Sequence, residues 1–239
     1  MSMRQTDMHI EELYQTFEND EYFQVQDVMS LYKKYNPEIT KTTINWRINT
    51  LIKSGQIHRI GRAKYKLGTE KVFTPTITTK ILKLSQLIKS NFPYINYAIW
   101  HISEINTLSQ HLLNKDTFYV EVERIAVDSV FEHLKGKNKF VLKGNSNDDI
   151  FFGESIVVVR PLVTGSPTQL VDNVSTITIE KLLVDLFVDK EFLFLQGLEI
   201  THIYSNAFSK YSINIDRLLR YASRKEKRAV IDGFIKTIF

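Results

Sequence analysis

The 239-residue sequence contains no cysteine. Without thiols there can be no disulfide framework and no thiolate metal site, so a reducing cytoplasm is the expected compartment. Glycine is scarce, nine residues in all, and it nowhere clusters as a phosphate-cradling loop requires. Long apolar runs are missing as well. Stretches such as Ile156 to Val159 fall far short of the roughly 20 residues that span a bilayer. The start, Met1 to Asp20, is polar and acidic, unlike a secretory leader. The six histidines, His9, His58, His101, His111, His133 and His202, show no short metal-binding spacing. His101 ends an apolar strand, where a hydrogen-bonded boundary residue is expected rather than a ligand. These absences set the expectation of a soluble, cytoplasmic, non-enzymatic protein with no cofactor, no metal and no membrane partner.

Hydrophobic residues make up 43% of the chain and charged residues 24%, enough apolar material for a sizeable core. The net charge of +4 says little by itself, but its distribution is informative. Up to Tyr32 the only base is Arg4, against Asp7, Glu11, Glu12, Glu18, Asp20, Glu21 and Asp27. From Lys33 to Lys66 the balance inverts. Lys33, Lys34, Lys41, Arg47, Lys53, Arg59, Arg62, Lys64 and Lys66 face the single acid Glu38. Clustered cations of this kind suit counterion-release binding to phosphates, although a solvated charge run has the same composition.

Periodicity assigns three helices to this region: one through Ile10, Leu13, Tyr14 and Phe17, and a second from Val25 to Tyr32 that stops before Pro37. The third starts after Thr40 as N-cap, with Ile44, Ile48, Leu51 and Ile52 as its buried stripe and Gly55 closing it. Tyr22 to Gln24 reads as a short extended link. Two strands, Gln56 to Ile60 and Ala63 to Leu67, form a hairpin at Gly61-Arg62. The expected fold class is therefore α+β. A winged helix-turn-helix domain over 1–70 precedes a larger mixed α/β domain over 77–239 with a helical C-terminal tail. Gly68 to Thr79, with Pro75 and its threonines, is the boundary. In the second domain, helices are expected around Ile81–Ile88, Ile105–Leu113 and Val127–Leu134. Strands are expected at Tyr94–Trp100, Phe118–Val122, Phe140–Leu142 and Ile156–Val159, and the chain from Thr178 reads as mostly helical.

A recognition helix carries short hydrogen-bonding side chains for base edges and cations for phosphates. On the third helix Thr42 and Thr43 fit the first role and Asn49 and Arg47 either, while Lys41 and Lys53 fit the second. Arg59, Arg62 and Lys64 in the hairpin would grip phosphates or enter the minor groove. Trp46 falls on the same face. An exposed tryptophan there is costly, so it is expected to pack under the hairpin or against the second domain rather than touch DNA. Arg217, Arg220, Arg224 and Arg228 form a basic stripe in the tail, read as a solvated face or a second anionic contact.

Two segments carry a family resemblance. The first is Thr43-Ile44-Asn45-Trp46-Arg47-Ile48 with Leu51-Ile52-Lys53-Ser54-Gly55 and Ile60-Gly61-Arg62-Ala63-Lys64-Tyr65. It resembles the winged-helix segment of AbiEi-type antitoxins, from type IV toxin–antitoxin systems of abortive infection. The second, Thr178-Ile179-Glu180-Lys181-Leu182-Leu183-Val184-Asp185, is similar to a helix in the C-terminal domain of those and related bacterial proteins. The resemblance implies an autorepressor that binds its own operator, with a C-terminal domain that counters a nucleotidyltransferase toxin. The implied DNA contacts are Thr42, Thr43, Asn45, Arg47 and Arg62. Such toxins follow a Gly-Ser pair with spaced magnesium-binding carboxylates. Here Gly165-Ser166 is followed only by Asp172, which argues against nucleotidyl transfer.

Double-stranded DNA is thus the expected partner, with the toxin as a second. A homodimer on an inverted repeat suits this kind of module, since two half-sites multiply affinity. Two rival readings stay open. One is a metal-dependent nuclease built on Glu121 and Glu123 with Asp148 and Asp149. The other is a protein-interaction module without DNA binding.

Overall fold

The computed structural model describes residues 8–20, 22–69, 71–137, 140–144 and 155–238. The chain is α+β and separates into two compact units: Met1–Val72 joined by Tyr211–Asp216, and Phe73–Lys210 with Arg217–Phe239. The 211–216 segment is far from the rest of the first unit in sequence and attaches through both backbone and side-chain groups. Ser212 N–H donates to Lys71 O at 2.9 Å, and Lys71 N–H donates to Ser212 Oγ at 2.9 Å. Among the described residues no helix is long and apolar enough to cross a membrane.

The first unit contains α1 (Ile10–Phe17), β1 (Phe23–Gln24), α2 (Val25–Lys33), α3 (Lys41–Lys53), β2 (Ile57–Gly61) and β3 (Lys64–Leu67). The expected link at Tyr22–Gln24 is partly a strand, with Phe23 paired to Tyr65, giving an antiparallel sheet of order β1-β3-β2. Local sequence fixes the helix ends. At α2 the Gln24 N–H donates to Asp27 Oδ2 at 2.7 Å, and at α3 the Thr43 N–H donates to the Thr40 hydroxyl at 3.2 Å. Gly55 ends the turn after α3 at φ 71°, a left-handed conformation in which an added Cβ would meet Thr69 at 3.0 Å. The hairpin reverses at Ala63, φ 58°, one residue beyond the expected Gly61-Arg62 pair, because the ladder shifts register between Arg59 and Gly61. Leu13, Phe17, Phe23, Val28, Leu31, Ile44, Ile48, Leu51 and Ile57 form one core.

The second unit is built on a four-stranded sheet of order β4-β5-β7-β6. Its strands are β4 (Tyr97–His101), β5 (Thr117–Val122), β6 (Val141–Lys143) and β7 (Ile156–Pro161). β4 runs antiparallel to β5, while β5 and β6 both run parallel to β7. Two helices, α4 (Thr79–Asn91) and α6 (Val127–Lys135), contribute Ile81, Leu84, Ile88, Val130 and Leu134 to a core with Ile99, Phe118, Val120, Val122, Val157 and Val159. Strand alternation sends the intervening residues, Trp100, Tyr119, Glu121 and Arg160, to the opposite face. That face meets α7 (Ile179–Val188), a 3₁₀ turn at Lys190–Leu195 and α9 (Ile215–Arg224); α8 (Leu198–Lys210) and α10 (Arg228–Ile238) complete the helical tail.

Two expectations for this unit need correction. The helix expected through Ile105, Leu108, Leu112 and Leu113 reduces to α5 (Ser103–Asn106). Asn106 closes a loop instead: its Oδ1 accepts from Leu113 N–H at 2.7 Å and its Nδ2 donates to Leu113 O at 3.3 Å. Side-chain bonds of this type compete with helix propagation. A hairpin of β8 (Thr168–Val171) and β9 (Val174–Ile177) was not anticipated. Its turn residues Asp172 and Asn173 have φ of 47° and 61°, the pair of positive angles a two-residue hairpin turn needs.

Candidate nucleic-acid interface and a buried charge network

The α3 sequence contains no acid. Its apolar stripe of Ile44, Ile48 and Leu51 is buried, which forces the remaining positions outward. Lys41, Thr42, Asn45, Trp46, Asn49 and Lys53 are all exposed. Trp46 is 62% exposed, so it does not pack under the hairpin as its size suggested. The stripe already fills the interior face, and position 46 lies on the other side of the helix.

Other residues of the expected contact set are committed locally. The Thr43 and Thr40 hydroxyls are 2.9 Å apart, so Thr43 belongs to the helix cap. Arg47 is half-buried, with its guanidinium 4.6 Å from the centre of the Tyr32 ring. Burial of Tyr32 pushes its phenol up to about 12, against the opposing pull of Arg47. Lys64 lies 4.4 Å from the Tyr22 ring centre, and Arg59 donates from Nε to Gly61 O at 3.0 Å. Arg62 is exposed at the hairpin tip, and its backbone N–H donates to the Asp216 carboxylate. The exposed residues Lys41, Thr42, Asn45, Asn49, Lys53, Arg59 and Arg62 therefore remain as candidate DNA contacts. Thr43, Arg47 and Lys64 also hold local structure.

The second unit buries a charge network that sequence reading missed. Glu121 and Arg160, on adjacent strands, meet Lys181 and Asp185 from α7, Asp189 and Glu191 from the following turn, and Lys225 beyond α9. Arg160 bonds Glu121 at 2.7 Å, Glu191 at 3.0 Å, Asp189 at 3.2 Å and Asp185 at 3.3 Å. Lys181 reaches Glu121 at 2.6 Å and also Asp185; Lys225 reaches Asp185 at 2.6 Å and Asp189 at 2.5 Å. Trp100 Nε1 donates to Glu121 at 2.9 Å, and the Tyr221 hydroxyl donates to Asp185 at 2.7 Å. Burial raises the pKa of both Glu121 and Asp185. The cations outweigh it: Arg160 and then Lys181 for Glu121, and Lys181, Lys225 and Arg160 for Asp185, hold both below the usual carboxylate range. Asp189 is shifted up, by burial and by the charge of Asp185. The spacing Lys181–Asp185, four apart in a helix whose only other charged residue is Glu180, was the available sequence signal.

This geometry relocates the carboxylates considered for metal chemistry. Glu121 is 1% exposed and salt-bridged, and Glu123 Oε1 accepts from the Asn96 backbone and side chain. Asp148 and Asp149 lie outside the described residues. His101 is a bonded boundary residue, 2.8 Å from Asp116 and 2.7 Å from Ser103. The basic stripe is divided: Arg217, Arg220 and Arg224 lie on α9, with Arg217 3.6 Å from Glu180, whereas Arg228 opens α10.

A protein-family model, described as a family of unknown function (DUF6577), matches residues 43–239. The chain belongs to that family. The match takes in most of α3, the β2–β3 hairpin and the whole second unit, and begins after α1 and α2. No curated protein matches the chain.

Proposed function

We propose that the first unit is a winged helix-turn-helix module that binds double-stranded DNA through α3 and the β2–β3 hairpin. The supporting observation is the exposed, acid-free row Lys41, Thr42, Asn45, Asn49 and Lys53, flanked by Arg59 and Arg62. Amide and hydroxyl groups on such a row suit base edges, and cations at its ends suit phosphates. In this reading the cytoplasmic protein is an antitoxin-like autorepressor, as its resemblance to AbiEi-type proteins implies. Its second unit would counter a nucleotidyltransferase toxin, and a homodimer would engage an inverted repeat.

A gel shift with the DNA upstream of the gene, at two salt concentrations, tests this reading. Tight, salt-sensitive binding that Lys53→Ala or Arg62→Ala weakens would support it. No shift at low salt would instead favour a protein-interaction module. The nuclease reading gains no support from Glu121, whose oxygens already receive Arg160, Lys181 and Trp100.

A further inference from the structure

The parallel strands β5 and β7 end side by side, with Val122 paired to Pro161. The chain leaves both strands into the walls of a cleft of ≈ 830 Å³, lined on one side by Glu123 and Arg124 and on the other by Leu162 to Ser166. Asn96, Thr168, Ser175 and Arg224 complete its polar lining. Crevices beyond the carboxyl ends of parallel strands are where open α/β sheets bind ligands, and this volume suits a small organic molecule rather than a bare ion.

We propose that this cleft binds a phosphorylated sugar compound, either a sugar phosphate or a nucleotide. Arg124 and Arg224 supply two guanidinium forks, and among the described residues neither has a carboxylate partner. Thr164, Thr168 and Ser175 add hydroxyl donors, a set matched to the three oxygens of a phosphate monoester, while the Ser166 hydroxyl already donates to Val163 O at 2.6 Å. Glu123 gives only Oε1 to Asn96, which leaves Oε2 to accept from the hydroxyls of a sugar. Ile95, Pro161, Leu162 and Val163 provide apolar wall for the rest of the molecule.

The site is braced by the buried network. Lys225, next to Arg224, is bound to Asp185 and Asp189, and Tyr221 one turn earlier bonds Asp185. Gly165, at φ 78°, lets the loop approach until a Cβ there would lie 3.7 Å from Arg224 Nε. The backbone that carries Arg224 is therefore fixed at the cleft by its neighbours, while the guanidinium itself is exposed.

The inference is independent of DNA binding and is tested without DNA. Calorimetric titration of the full chain would use AMP, ribose 5-phosphate, inorganic phosphate and adenosine. The expected result is saturable binding of one AMP or ribose 5-phosphate per chain. Which of the two binds more tightly separates a nucleotide from a sugar phosphate. Adenosine and inorganic phosphate should each bind at least about tenfold more weakly. Arg124→Gln and Arg224→Gln, both on exposed side chains, should each reduce affinity about tenfold or more with the melting temperature unchanged. Lys41→Gln with Lys53→Gln should leave it intact. The proposal is overturned by absence of saturable binding at millimolar concentrations. It is equally overturned if inorganic phosphate binds as tightly as the esters, or if the α3 substitutions abolish binding while the cleft substitutions do not.

Discussion

Replacing Arg160 by methionine removes the cation that touches all four carboxylates of the buried network, Glu121, Asp185, Asp189 and Glu191. Lys181 and Lys225 would remain, two cations against four acids in a region from which water is largely excluded. Methionine fills much of the volume, so the loss is electrostatic rather than a cavity. Breaking a buried ion pair by deleting one partner costs about 3–5 kcal/mol. At roughly 2–4 °C per kcal/mol for a domain of this size, the melting temperature should fall by roughly 6–20 °C.

Trp100 reports on the site directly, since its indole is buried and bonded to Glu121; Trp46→Phe removes the other tryptophan signal. Urea unfolding followed by fluorescence in that background gives the stability. Adding Glu121→Gln to Arg160→Met should restore part of the loss, because it removes a carboxylate left without its guanidinium. Acid offers a second arm. Glu121 and Asp185 have folded-state pKa values below their unfolded values, so their contribution is present above pH about 4 and is lost as pH falls below it. Asp189 has the opposite sign and gains stability on protonation, which partly offsets the loss. If Arg160→Met costs less than about 1 kcal/mol, the premise that these charges are desolvated and interdependent is refuted.

Thr40→Ala should destabilise the first unit by about 1 kcal/mol through loss of the α3 cap, read as a lower urea midpoint with an unchanged slope. Acrylamide should quench Trp46 but not Trp100, giving two distinct fluorescence populations; if operator DNA binds α3, it should protect the first of them. The salt dependence of DNA binding should lose about one unit of slope for each phosphate contact removed, so Lys53→Ala should flatten the log–log plot. Absorbance titration should find one tyrosine, removed by Tyr32→Phe, ionising near 12 in the folded chain.

The N-terminal elements were legible because their signals are local. Thr40, Gly55 and the stripe Ile44, Ile48 and Leu51 specify α3 without reference to anything distant. Where reading failed, a side chain competed with the periodicity: Asn106 bonding Leu113 overrides an apolar spacing that would otherwise propagate a helix. The β8–β9 hairpin carried a usable signal in Asp172-Asn173 between Val171 and Val174, two residues that tolerate positive φ. The apolar flanking run masked it.

Sequence by itself determined where helices and strands begin, which faces are apolar and where the cations concentrate, since these follow from backbone preference and side-chain period. It could not determine what Glu121 is for. A glutamate on a strand reads as a metal ligand, an exposed edge residue or half of a salt bridge until the partners of that strand are known. Only the tertiary structure brings Arg160, Lys181, Asp185 and Lys225 into one network with it, from positions up to 104 residues away in sequence, and only the tertiary structure brings Arg124, beyond β5, and Arg224, on α9, to one cleft. Both depend on strand order and on the path of the helical tail, which are set by long-range packing rather than by any local pattern.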